Sequence, residues 1–295
     1  MSIWVTGCGG FLGKRLVRAL TSGGHKVVAL SRRVCPFGDG SISIDLSSDG
    51  ICRQLEELSR DFGYPDVVVH AASRKPGPYS ISEYIKSNVL STANLLDALK
   101  KFPPRQLVYT STLSVYGRPD TIPVKETHPL RGNFPYAVTK RCGEQLLEGF
   151  QDRSQVIILR LPSLYGVGQS DSFVDGIARL AIRNETIELF SRGETVRDAL
   201  HVDDVIKAII SCVTYAPRTQ FCCMNLGCGK RITTREYVQA LLQALEISSP
   251  VVPVGRPSPQ EFDLYADIEE ARRQIGFTPT ALILSMKRYA DELRA

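Results

Sequence analysis

The 295-residue sequence lacks several features that would mark a specialised class. Although 43% of its residues are hydrophobic, no uninterrupted apolar stretch is long enough to span a bilayer, which argues against a helical membrane protein. Ser2-Ile3-Trp4-Val5 reads as the start of a strand, so no cleaved leader is expected. There is no block of one charge. The net charge of +5 is modest and basic residues alternate with acidic ones, which disfavours a nucleic-acid surface and mildly favours small anionic ligands. None of the 8 cysteines pair at C-x-x-C spacing, and none of the 4 histidines falls within ligand spacing of them. A structural zinc site is therefore not expected, nor is any other metal. Cys222, Cys223, Cys228 and the rest read as buried free thiols of a reducing cytoplasm.

What is present is ordinary globular composition, long enough for one large or two modest domains. Ile3-Trp4-Val5-Thr6 is apolar and β-prone and runs into Gly7-Cys8-Gly9-Gly10-Phe11-Leu12-Gly13, after which Leu16, Val17 and Leu20 keep helical spacing. Strand, glycine turn and helix in that order make a dinucleotide site. The glycines let the backbone approach a pyrophosphate, and the helix N-terminus turns unpaired N–H groups toward it. A second strand, residues 26–30, ends at Ser31-Arg32-Arg33, where an acid for the adenosine ribose is absent. An Asp or Glu there would bond the free 2′-hydroxyl of NAD, whereas a small hydroxyl followed by arginines accommodates a 2′-phosphate. NADP is the expected cofactor and NAD the alternative, unless the arginines are simply solvated loop charge.

Ser43-Ile44-Asp45-Leu46 reads as a third short strand, with Asp45 meeting the adenine edge and Leu46 packing nearby. Residues 51–62 read as helix, and Pro65 to Ala72 as a buried strand ending in the small Ala71 and Ala72. His70 fits a packed strand position better than a ligand. Residues 73–82 make a loop at the cleft mouth, where Arg74 and Lys75 meet either substrate or water. A helix from Asn88 follows, and then a strand over 106–111 that delivers Ser111 and Thr112 to the carboxyl edge of the sheet. Pro135 suits the first turn of the next helix, on which Tyr136 and Lys140 share one face. A lysine beside a tyrosine favours the phenolate, so the phenol is expected to fall from its usual value of about 10 toward neutrality. Taken alone, that spacing also describes an exposed i,i+4 pair.

Strands alternating with helices up to about residue 161 predict an α/β fold, a doubly wound parallel sheet of Rossmann type, with a smaller C-terminal α/β substrate domain. The expected boundary places a cofactor domain at 1–161 and a substrate domain at 162–295, with 197–208 and 221–226 returning to the cofactor sheet. The segment 250–259, rich in proline, reads as a linker or lid.

With Thr6-Gly-x-x-Gly-x-x-Gly13, Thr112 and Tyr136-x-x-x-Lys140 in order, the chain resembles the extended short-chain dehydrogenase/reductases, the nucleotide-sugar epimerase/dehydratase family. His70-Ala71-Ala72, Asn88-Val89-x-x-Thr92, Arg160-x-x-x-x-Tyr165-Gly166, Arg197-Asp198-x-x-His201 and Arg256-Pro257 extend the likeness over nearly the whole length. The resemblance implies an enzyme in which Tyr136 exchanges the hydroxyl proton, Lys140 holds the nicotinamide ribose and Thr112 bonds the reacting oxygen. It implies cofactor contacts from Gly7, Gly10, Phe11, Leu12, Gly13, Ser31, Arg32, Arg33, Asp45, Leu46, Ala71, Ala72, Ser73, Asn88, Tyr136, Lys140 and Pro162. Substrate contacts fall to Ser73, Thr112, Ser163, Arg197 and Arg256. Arg197 either grips a diphosphate or pairs with Asp198. The family also implies a soluble homodimer, through helices over 88–101 and 136–150, with no nucleic-acid or membrane partner.

Departures from the family pattern narrow the reaction. Dehydratases place an Asp-Glu pair after the catalytic threonine, but Leu113 and Ser114 stand here. Elimination of water would lack its acid and base. The Cys and His of bifunctional epimerase-reductases are missing too. An NADPH-dependent reductase of a nucleotide-linked 4-keto-6-deoxy sugar is the main expectation, tipped by Ser31-Arg32-Arg33. The alternatives are a nucleotide-sugar 4-epimerase with bound NAD and a non-catalytic NADP-binding regulator.

Overall fold

The computed structural model describes residues 1–214, 219–257 and 262–295. Its strands are β1 (Ser2–Thr6), β2 (Lys26–Ser31), β3 (Gly40–Ser43), β4 (Val67–His70), β5 (Gln106–Thr112), β6 (Gln155–Leu161), β7 (Ser163–Tyr165), β8 (Ile187–Leu189), β9 (Ala199–His201), β10 (Phe221–Asn225) and β11 (Val251–Pro253). The helices are α1 (Phe11–Ser22), α2 (Ile51–Phe62), α3 (Ile81–Tyr84), α4 (Ser91–Leu99), α5 (Pro135–Glu148), α6 (Phe173–Ile182), α7 (Val202–Thr214), α8 (Thr234–Leu245), α9 (Glu269–Ile275) and α10 (Leu282–Arg294). Two compact units emerge. The first comprises Met1–Gly117, Leu130–Arg160 and Ile206–Met224, the second Arg118–Pro129, Leu161–Val205 and Asn225–Ala295.

A seven-stranded sheet in the order β3-β2-β1-β4-β5-β6-β10 is built on the first unit, the strand order of a doubly wound dinucleotide fold. β4 and β5 are buried along their whole length, as strands covered on both faces must be. The parallel registers pair Thr6 with Leu30 and His70, and His70 with Tyr109. The carboxyl ends of β1, β4 and β5 are thereby aligned, and the glycine turn, Ala71 and Thr110 to Thr112 leave the sheet at one edge. Leu16, Val17 and Leu20 bury one face of α1, and Ile51, Leu55 and Leu58 one face of α2. Trp4, Leu55, Leu95, Leu99 and Leu107 share that core.

Two expectations need correction. The third strand is Gly40–Ser43, not 43–46. The Asp45 carboxylate accepts from Ser47 N–H (3.0 Å) and Ser47 O–H (2.7 Å), a local turn that competes with strand pairing. Residues 199–201 do not return to the large sheet, because β9 pairs in parallel with β7 in the second unit. That unit also holds the β8–β11 pair, and its core gathers Tyr165, Leu189, Tyr237, Leu241, Met286 and Tyr289. Within the segment read as linker or lid, 251–253 form β11, while 258 and 259 lie outside the described residues.

Candidate active site

The glycine turn is shaped by close approach of backbone to backbone. Gly7 has φ +74°, and a Cβ there would lie 2.7 Å from the Ala72 backbone. A Cβ on Gly13 would collide with the Gly7 carbonyl oxygen. The turn is fixed by Gly7 N–H donating to Leu30 C=O (2.8 Å) and Gly10 N–H to Gly7 C=O (2.9 Å). Helix α1 then starts with no side-chain cap and no acid in its first turn. Its N–H groups and the positive end of its dipole are left for an anion. This cradle fits a dinucleotide diphosphate. Phe11 and Leu12, both half-buried, flank it.

At the ribose end, Ser31 accepts from Cys8 Sγ–H (3.1 Å) and donates its own proton to the Arg33 carbonyl. Arg32 and Arg33 are exposed, and Asp45 is close enough to Arg32 for the guanidinium to help lower its carboxyl, after the larger effect of the Ser47 hydrogen bond. Leu46 is buried.

A hydrogen-bonded chain ties the end of β4 to the neighbouring helix. Ala72 N–H donates to Thr6 Oγ1 (3.1 Å), which bonds His70 Nδ1 (2.7 Å). His70 Nε2 bonds Thr92 Oγ1 (2.9 Å), which donates to Asn88 C=O (2.7 Å). Because Thr92 gives its proton to the carbonyl, His70 carries hydrogen on Nε2 and accepts at Nδ1. Burial, helped by the charge on Lys140, pushes His70 down to about 3. Asn88 lies in a π-helical segment, Ile85–Leu90, and its side chain accepts from Arg74 N–H (2.6 Å) and donates to Thr139 Oγ1 (3.0 Å). It thus fastens the loop holding Ser73 and Arg74 to α5. The Arg74 guanidinium packs over the Tyr79 ring (4.2 Å) and donates to Ser87 Oγ (3.3 Å).

Thr112 ends β5 and Tyr136 opens α5 behind Pro135, where the extended Phe134 caps the helix. Thr112 Oγ1 accepts from Ser114 N–H (3.1 Å), and the Thr112 side chain is hydrogen-bonded to the Tyr136 phenol. Lys140, 1% exposed, lies one turn further on with Nζ 3.9 Å from the Tyr109 ring centroid. The expected acidic phenol is not found in the chain by itself. Burial pushes Tyr136 up to about 12 against the opposing Thr112 hydrogen bond. Lys140 is itself brought down to about 7 by burial, with Glu144 acting in the other direction. In the chain by itself burial thus works against both the phenolate and the ammonium. Leu113 is buried, 2% exposed.

Sequence reasoning missed Glu144. Its carboxylate is 5% exposed and accepts from Arg160 Nε (3.1 Å), Arg160 Nη2 (2.8 Å) and the Ser111 hydroxyl. The Ser111 hydroxyl is thereby committed to this acid. The available signal was its spacing, four residues after Lys140 on the same helix face.

The remaining predicted residues belong to the second unit. Pro162 is half-buried, Ser163 is exposed in β7 and Arg256 is exposed, its carbonyl accepting from Ser191 N–H (3.0 Å). Arg197 is half-buried against the Phe173 ring (5.9 Å). Asp198 accepts from the backbone N–H of Cys228 (2.8 Å) and Ala266 (2.9 Å), and burial raises it to about 6. His201, Asp203 and Glu292 bring ligand atoms within 4.8 Å of one another, but the Arg288 guanidinium stands 3.6 Å from Asp203, which suits an ion-pair cluster better than a cation site. No described helix is long and apolar enough to cross a membrane.

A doubly wound sheet with a glycine cradle at one strand end and a Thr, Tyr and Lys at another defines an enzyme of the extended short-chain dehydrogenase/reductase type, dependent on a nicotinamide dinucleotide. Residues 3–221 match the model of the NAD dependent epimerase/dehydratase family, and the chain belongs to that family. It is similar over 100% of its length, and 99% of the other chain, to MoeE5 in complex with UDP-glucuronic acid and NAD, at 30% identity and a TM-score of 0.85. The UDP-glucose 4-epimerase of Thermotoga maritima, solved with UDP-glucose, superposes with a TM-score of 0.88 at 22% identity, over 100% of this chain and 99% of that one. The UDP-glucose 4-epimerase of Mycolicibacterium smegmatis is 28% identical over 299 residues, covering 95% of this chain and 94% of its own.

Proposed function

We propose that the chain is a nucleotide-sugar 4-epimerase that retains NAD, acting on a UDP-linked hexose or hexuronic acid. The observation that carries this reading is the Thr112–Tyr136 hydrogen bond one helical turn from Lys140, with Leu113 and Ser114 where a dehydratase needs carboxylates. Tyr136 would take the proton of the sugar 4-hydroxyl, Thr112 would hold the reacting oxygen and Lys140 would hold the nicotinamide ribose. When bound, the oxidised nicotinamide supplies a hydride acceptor and a positive charge. That charge would favour the phenolate which the chain alone disfavours. Loss of the C4 hydride to that acceptor, and its return to the opposite face of C4 with the proton from Tyr136, would give the 4-epimer with no net redox change.

The reductase reading rested on Ser31-Arg32-Arg33. The Ser31 proton is already given to the Arg33 carbonyl, and Asp45 opposes the charge of Arg32, so neither is poised for a 2′-phosphate. The NAD carried by MoeE5 agrees with this. The absence of an acid at 31–33 still favours NADP and keeps the reductase as a second reading. Pro162, Ser163, Arg197 and Arg256 are assigned to substrate and cofactor with the family pattern as their support, and a homodimer likewise.

The test is to denature the purified protein and identify the released dinucleotide, then incubate the intact enzyme with UDP-glucose and UDP-glucuronate without added cofactor. Released NAD and formation of the 4-epimer are expected. Released NADP, with conversion of a 4-keto sugar only when NADPH is consumed, would establish the reductase instead.

A further inference from the structure

Lys140 needs its positive charge to hold a ribose and to steady a phenolate, yet it occupies a place that works against that charge. At 1% exposure an ammonium has lost its water, and the π face of Tyr109 returns only part of the loss. The titratable and charged groups around it are Tyr136 and Glu144 from α5, Tyr109 from β5 and His70 from β4, with Arg160 of β6 and Cys223 of β10 behind Glu144. His70 is neutral and hydrogen-bonded on both nitrogens, and the two phenols are protonated, so Glu144 is the one group of this set that carries a negative charge.

We propose that Glu144, clamped by Arg160 and Ser111, is a positioning residue that keeps Lys140 cationic inside the closed core of the first unit. Three features of the geometry argue for it. The carboxylate lies one turn from Lys140 on the same helix, within range of through-space attraction. Both of its oxygens are taken by charge-assisted donors, the Arg160 fork and Ser111, which fix it as an anion in one rotamer. Those same donors keep it from capturing the ammonium. Glu144 therefore lends its field to Lys140 and leaves the Nζ hydrogens for a ribose. Arg160 is anchored in turn by donating Nη1 to the Tyr116 hydroxyl (2.9 Å). The direction in which Glu144 moves Lys140, upward against burial, agrees.

The proposal rests on the oxidoreductive reading only for the use made of the charge, and the charge itself is measurable without turnover. Lysine labelled with carbon-13 at Cε reports the titration of each amine by NMR, with Lys140 assigned from the signal that Lys140→Arg removes. Glu144→Gln should lower the Lys140 midpoint by about one pH unit or more, the size expected when an opposite charge within a turn is removed. Glu144→Asp, which retains the charge, should fall much less. The double variant Glu144→Gln/Arg160→Met removes both ions, avoids an unpaired buried guanidinium and should still lower the midpoint. If the enzyme turns over UDP-sugars, the alkaline limb of kcat/KM should move in the same direction. If it turns over none, the NMR result stands alone. An unchanged midpoint, equal shifts for Gln and Asp, or failure of all three variants to fold would overturn the proposal and leave the cluster as core structure.

Discussion

At the β1–α1 turn, Gly7 and Gly13 leave no room for a Cβ, and the groups offered to a ligand are backbone N–H groups and a helix dipole. At the start of α5 the opposite holds: a phenol, an ammonium, a carboxylate and a guanidinium are packed within two helical turns and a neighbouring strand. The first region binds through what its side chains lack, and its geometry is set once the strand and helix form. The second is proposed to react through side chains whose charges depend on one another, and in the chain by itself burial disfavours the charged form of each. Tyr136 is up at about 12 and Lys140 down at about 7. On the proposed reading, binding is thus built into the backbone, whereas reactivity depends on side chains whose charged forms burial opposes.

This contrast can be broken most strongly at Tyr136. Tyr136→Phe is expected to lower kcat on the order of 10²- to 10⁴-fold, the usual contribution of a general acid–base, while the bound dinucleotide measured after denaturation stays at the wild-type level. Gly13→Ala should do the reverse. Its methyl group must displace the Gly7 carbonyl, and overpacking of about 1–3 kcal/mol corresponds to roughly ten- to a hundredfold weaker dinucleotide binding by calorimetry. If the alanine variant kept its cofactor and lost only kcat, the division between the two regions would fail.

The hydrogen-bonded His70 sharpens the comparison from the stability side. Its folded value, about 3, lies below the 6.5 of an unfolded histidine. As pH falls through 6.5 the unfolded chain takes up a proton that the folded one refuses, so stability declines by up to about 1.4 kcal/mol per pH unit until about pH 3. Urea titrations should show this slope weakened in His70→Asn. A slope that the substitution does not touch would detach His70 from acid unfolding. The smallest effect is expected at Arg32→Ala, a change of a few-fold at most in the preference between NAD and NADP, since an exposed, partly balanced charge is screened by solvent. A tenfold loss of NADP affinity would instead return weight to the phosphate-binding reading of that loop.

The two regions also differed in how far they could be read in advance. Gly7, Gly10 and Gly13 between an apolar strand and a periodic helix are a local pattern, and local patterns survive translation into structure. Tyr136 and Lys140 were visible by spacing. Glu144 and the role of Ser111 were not, because a carboxylate at helical spacing on a polar-looking stretch reads as solvated until β5 and β6 are packed against it. The third strand was misplaced by the Asp45–Ser47 turn, a side-chain competition that residue propensities do not register. The pairing of β9 with β7 is not legible in advance, because a short triplet such as Ala199-Leu200-His201 carries no record of which strand it will join. The acidity expected of the phenol fails for a physical reason of the same kind: spacing shows the neighbouring lysine but not the burial of either group.

The central claim is that hydride leaves the sugar C4 and returns to the same carbon within one active site. The direct measurement is to incubate the enzyme, without added dinucleotide, with UDP-glucose and with UDP-glucuronate carrying deuterium at C4, and to follow the products by NMR. The account predicts a 4-epimer that retains the deuterium at C4. Absence of any epimer, together with reduction of a 4-keto sugar nucleotide at the expense of NADPH, would contradict it.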